Sequence, residues 1–82
     1  MIKTYATWTM GSVNQQQRSE IEATVQTMKN AGKTDGIASM VISPDPATQR
    51  TYVRQWTSTE YAQEWLQYIR SFNPIIADIL PD

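Results

Sequence analysis

The stretch RTYVRQWTSTEYAQEWLQYIRSF, residues 50–72, decides the fold. It begins as a strand in which Arg50, Tyr52, Arg54 and Trp56 recur at period two and so share one face. Thr57 and Glu60 then form a capping box for a helix that runs to about Phe72, where Asn73-Pro74 ends it. At roughly 100° per residue, the apolar side chains of that helix fall in the order Tyr68, Tyr61, Phe72, Trp65, Ile69, Ala62, Leu66. They fill an arc of roughly 160°, and polar residues take the remainder. One edge of the arc is aromatic and the other aliphatic. The aliphatic edge is suited to lie on a sheet as core.

Two readings of the aromatic edge compete. In the first, Trp65 and Phe72 are core, and Tyr61 and Tyr68 sit at its rim with their hydroxyls in water. In the second, the edge joins Trp8, Trp56 and Tyr5 from the strands, with Arg54, to line a cleft between helix and sheet. Such a cleft suits a planar hydrophobic ligand. The candidate ligand-binding residues are therefore Trp8, Arg54, Trp56, Tyr61, Trp65 and Tyr68. The arginines also have a simpler use, pairing with carboxylates or stacking on neighbouring rings.

Working outward, MIKTYATWTM alternates as a first strand, with Ile2, Ala6, Trp8 and Met10 on one side and Lys3, Tyr5, Thr7 and Thr9 on the other. GSVN is a turn, and Asn14 with Gln17 makes a capping box for a first helix. Ile21, Val25 and Met28 form the stripe of that helix, and Gly32 is its stop. In IASMVIS, Ile37 and Val41 point one way and Ala38, Met40 and Ile42 the other, the pattern of a strand buried on both sides. PDPATQ, with Asp45 between Pro44 and Pro46, is a connection of turn residues, so the second and third strands form a hairpin. The tail IIADILPD is apolar, and a fourth strand is possible there.

The order β-α-β-β-α(-β) predicts a ferredoxin-like α+β sandwich in one domain spanning residues 1–82. In that fold the helices cover one face of the sheet. An apolar opposite face needs another cover, and a second copy of this small chain is the simplest one. A homodimer joined through the sheet faces, two copies forming a dimeric α/β barrel, is the expectation.

Composition excludes several chemistries. The chain has no cysteine and no histidine, so thiolate chemistry, sulfur-ligated metals and the commonest general base are ruled out. Glu60 and Glu64 lie on the polar arc as a solvated pair, so no metal or cofactor is expected. GKTDG follows a helix and lacks the spacing of a phosphate loop. A net charge of −1 gives no general attraction for nucleic acid or anionic lipid. RTYVRQW has arginine and aromatic rungs but not the glycines of RNA-recognition strands. No signal peptide or apolar run of membrane length is visible, which makes a cytoplasmic setting the default expectation.

DG opening the second strand, the PDP connection, Trp56 closing the third strand, the helix start at residues 58–60 and Trp65 near the second helical turn resemble the antibiotic biosynthesis monooxygenase-type (ABM-like) dimeric α/β barrel family. The resemblance covers nearly the whole chain. It implies a dimer whose two sheets close into a barrel, with a pocket between each sheet and its own helices. It also implies an activity among cofactor-free monooxygenases of polycyclic aromatic substrates, haem-degrading enzymes or proteins without catalysis. The haem-degrading branch uses a helix histidine and a first-strand asparagine; IKTYATWTM has no asparagine and the chain no histidine. The functional expectation is a small homodimer that binds a hydrophobic, aromatic small molecule, with cofactor-free oxygenation as its possible chemistry. The alternative is a non-enzymatic module for self-association or protein interaction.

Overall fold

Strand β1 (Ile2–Thr9), helix α1 (Gln15–Asn30), strands β2 (Thr34–Val41) and β3 (Gln49–Trp56), helix α2 (Thr59–Ile69), a 3-10 turn (Arg70–Phe72) and strand β4 (Ile76–Ile79) follow one another along the chain. The computed structural model describes residues 1–41 and 47–81, without the side chains of Met40 and Val41. The strands form one sheet in the order β2-β3-β1-β4 with every neighbouring pair antiparallel. This is a compact α+β fold with a four-stranded antiparallel sheet and two helices, compatible with a ferredoxin-like arrangement. Of the connection assigned to residues 44–49, residues 44–46 lie outside the described residues.

α1 forms where its signals place it. Asn14 accepts a hydrogen bond from the Gln17 backbone N–H, and the Gln17 side chain accepts one from the Asn14 backbone, each at 2.8 Å. At the other end, Gly32 has φ 75° and donates to the Lys29 carbonyl, while Lys33 donates to the Met28 carbonyl. This pair of bonds is a Schellman motif, which needs a left-handed residue at the glycine position. Ile21, Val25 and Met28 are the buried stripe.

The cap of α2 sits one residue later than the sequence pattern places it. Ser58, not Thr57, accepts from the Tyr61 N–H. Thr57 is diverted to the end of α1: its backbone N–H donates to the Lys33 carbonyl and its hydroxyl lies 3.3 Å from the carbonyls of Gly32 and Lys33. With Ser58 as the cap, Tyr61 stands where Glu60 was expected, so the box has no reciprocal half.

Within one chain, β2 is not covered on either face at residues 37–39. It is an edge strand, and Ile37, Ala38 and Ser39 are exposed in the single chain. Its ladder to β3 is irregular between Thr34 and Ala38. There Gly36 has φ 77°, and a Cβ on it would lie 2.7 Å from Cδ of Lys29. The glycine lets the strand bulge beneath the last turn of α1.

The tail resolves as β4. Its residues pair with β1 from Thr4↔Ile79 to Thr7↔Ile76. The Ile75 N–H donates to the Thr7 carbonyl and the Leu80 N–H to the Lys3 carbonyl, while Arg70 reaches across to the Ala77 carbonyl at 2.8 Å.

Register separates the two faces of the sheet. Thr4, Ala6 and Trp8 of β1 lie level with Arg54, Tyr52 and Arg50 of β3 on the helix side. The core is built there, from Ala6, Trp8, Trp56 and Ala77 of the sheet against Ile21, Val25 and Met28 of α1 and Ala62, Trp65, Leu66 and Ile69 of α2. Leu66 and Ile69 are fully buried, each contributing about 1.5–3 kcal/mol by transfer from water. The other face presents Tyr5, Thr7, Thr51, Val53 and Ile76 and no helix.

Trp56 is wholly buried and its indole N–H donates to the Thr4 hydroxyl at 2.8 Å. Thr4→Val keeps the shape and leaves that donor without its acceptor. The variant is expected to unfold at lower urea concentration, with a loss of about 1–3 kcal/mol. An unchanged midpoint would remove this bond from the account of the core.

Candidate functional site

A cavity of about 430 Å³ lies between α1 and the helix-facing side of the sheet. Its floor is Ala6 and Trp8 of β1, Ala38 of β2 and Arg50, Tyr52 and Arg54 of β3. Arg18, Ile21 and Glu22 of α1 form one wall, Trp65 and Ile69 of α2 the other, and residues 9–11 and 13 close the end beyond β1. The cavity exists because the floor residues at its outer end are not covered by α2. There Tyr52 and Met10 remain exposed, and they mark the mouth.

The period-two pattern of β3 places Arg50, Tyr52 and Arg54 on this floor. Trp8 meets Tyr52 edge to face at 6.2 Å, and its indole N–H donates to the Phe72 carbonyl at 3.1 Å, which fixes the ring. Arg54 is held on two sides. Its Nη2 donates to Oε1 of Glu22 at 2.8 Å, and its guanidinium carbon lies 5.5 Å from the centre of the Trp65 ring. The arginine side chain is 8% exposed and the glutamate side chain 67%. The positive partner is therefore buried at the cavity and the negative partner stands in solvent on α1.

Of the residues expected to bind a ligand, Trp8, Arg54 and Trp65 meet at the cavity. Trp56, Tyr61 and Tyr68 do not line it. Trp56 lies behind Trp65, ring centres 5.1 Å apart, as part of the core. The aromatic edge of α2 continues away from the cavity as a ladder, Trp65 to Tyr68 at 5.7 Å and Tyr68 to Phe72 at 5.4 Å. The Tyr68 hydroxyl accepts from Thr24 of α1 at 3.0 Å and so bridges the two helices. Tyr61 lies under the ammonium of Lys33, which also contacts both carboxylate oxygens of Glu64 at 3.1 Å.

Sequence reasoning put the cleft beneath the aromatic edge of α2; the open space is beneath α1. Arg50 and Tyr52 share the parity of Arg54, so the strand pattern carried a signal for them. Nothing comparable marked Arg18 or Glu22, whose place depends on how α1 crosses the sheet. Among the described residues, no group of three or more histidine, cysteine, aspartate or glutamate side chains is placed to hold a metal ion. Among the described residues, no helix is long and apolar enough to cross a membrane.

Comparison with protein-family models, with curated proteins and with solved structures gives no match.

The Arg54–Glu22 contact is testable by a double-mutant cycle with Arg54→Met and Glu22→Gln. Because Glu22 is exposed, the coupling is expected to be about 1 kcal/mol in urea unfolding and to shrink as salt is added. A coupling of zero at low salt would leave the pair without an energetic role.

Proposed function

We propose that this chain binds a hydrophobic, aromatic small molecule in the cavity between α1 and the sheet. The observation that carries this reading is the cavity itself, about 430 Å³ in volume and walled by Trp8, Tyr52, Trp65, Ile21 and Ile69. Small-molecule sites are commonly concave, of a few hundred cubic ångströms, mostly apolar and furnished with a few polar groups. Fused aromatic rings would fit within such a space against Trp8 and Trp65 by the offset or edge contacts that aromatic pairs favour.

The chemistry this reading admits is cofactor-free oxygenation, as in the ABM-like family that the sequence resembles. A ring-activated CH₂ would lose a proton and pass its electrons to molecular oxygen, giving C=O and water. A tyrosine or arginine of the lining would donate to the developing oxyanion. No side chain is assigned as the base.

A homodimer through the uncovered sheet face is the second part of the proposal. That face carries Tyr5, Val53, Ile76 and Ile37, the last 66% exposed, and Lys3 and Asp78 are its charged residues among those described. Four strands of up to eight residues give it roughly 500 Å², near the lower limit for a specific interface once both copies are counted. The same face supports the other reading, that association is the whole of the function. An empty cavity in solution would favour that one.

Two measurements test these statements. Titration with anthrone- or quinone-like compounds is expected to quench the fluorescence of Trp8 and Trp65, and oxygen uptake with the anthrone would add catalysis; an unchanged spectrum at saturating solubility rejects the binding reading. Light scattering at tens of micromolar is expected to give twice the chain mass of 9.4 kDa, and Ile37→Lys to return it to one chain. A monomeric wild type rejects the barrel.

A further inference from the structure

Two residues of the cavity wall, Arg54 and Trp65, carry N–H donors that have no acceptor among the described residues. Arg54 is nine-tenths buried, and among the described residues its guanidinium makes one hydrogen bond, to Glu22. A guanidinium carries five N–H donors, and buried donors are rarely left unsatisfied. Trp65 is 3% exposed, and its indole N–H has no acceptor among the described residues. The other two tryptophans differ: Trp8 donates to Phe72 and Trp56 to Thr4. Both orphaned donors belong to residues that line the cavity.

Charge points the same way. Among the described lining residues, Arg18 and Arg54 stand against one carboxylate, Glu22, in a chain of net charge −1. A concave, partly apolar wall concentrates the field of such a cluster.

We infer that the cavity takes an aromatic monoanion, with its carboxylate or enolate oxygen seated between the Arg54 guanidinium and the Trp65 indole N–H. This rests on the proposal that the cavity binds an aromatic small molecule, and it adds the charge and the seat. Glu22 is then the counter-ion that Arg54 keeps while the cavity is empty. Being mostly in solvent, Glu22 can leave at little cost to itself, so the incoming oxyanion exchanges with it or shares the guanidinium fork with it.

A matched pair of ligands tests the inference: 2-naphthoate and its uncharged isostere 2-naphthamide, titrated into the uniformly ¹⁵N-labelled chain. The indole N–H cross-peaks of the three tryptophans report the seat. The acid is expected to bind at least about tenfold tighter than the amide, as charge-assisted bonds require, with the Trp65 peak moving most and the Trp56 peak least. Glu22→Gln should raise the acid-to-amide affinity ratio, and Arg54→Met should bring it close to one. Equal affinities in the wild type overturn the inference and leave the binding proposal standing. Titrations in which neither compound moves any indole peak overturn both. The wild-type ratio decides even if Arg54→Met fails to fold, and an unchanged ratio in a folded Arg54→Met overturns the seat.

Discussion

The stacking of Trp56 on Trp65 is the contact that the rest of the molecule depends on. Trp56 ends the third strand and Trp65 lies in the second turn of α2, so their rings, 5.1 Å apart, fix where that helix sits on the sheet. The Thr4 hydroxyl ties the same indole to the central strand β1. Everything downstream inherits this position. Leu66 and Ile69 are fully buried because Trp65 has set the rotation of the helix, and β4 finds its register from the 3-10 turn that follows.

The same contact explains how an 82-residue chain can hold an open space. Rings of this size fill the region under α2 and leave α1 propped away from the floor at its outer end. There the side chains facing the gap are Arg18, Ile21 and Glu22, none of which reaches the filling power of a tryptophan. A cavity beside a tightly filled core is thus a consequence of uneven distribution of ring volume between the two helices.

Much of the fold was legible from residues 50–72 because period two, a cap and a two-faced helix are local properties. Asn14, Gln17 and Gly32 were legible for the same reason. The misplaced cap at Thr57 and the exposed β2 were not, because each depends on a distant partner. Thr57 is claimed by carbonyls at the end of α1, and β2 lies at an edge that alternation of residues cannot reveal. Trp8, Arg54 and Trp65 were named as site residues by type and face. The wall opposite them came from α1, whose crossing over the sheet is set by Ile21, Val25 and Met28 meeting the floor. No spacing in the sequence encodes that meeting.

The two helices are fastened unequally. α2 is clamped by three side chains of zero exposure, Ala62, Leu66 and Ile69, and a stacked tryptophan. α1 rests on three buried apolar side chains, Ile21, Val25 and Met28, and among the described residues Thr24 to Tyr68 is the side-chain hydrogen bond that joins it to α2. Local opening follows the element with the least buried apolar contact. α1, between its Asn14 cap and Gly32, is therefore the helix expected to open first. Amide protons of α1 would then exchange with solvent sooner than those of α2. Because Glu22 rides on α1 and Arg54 on β3, that opening would break the Arg54–Glu22 bond as well.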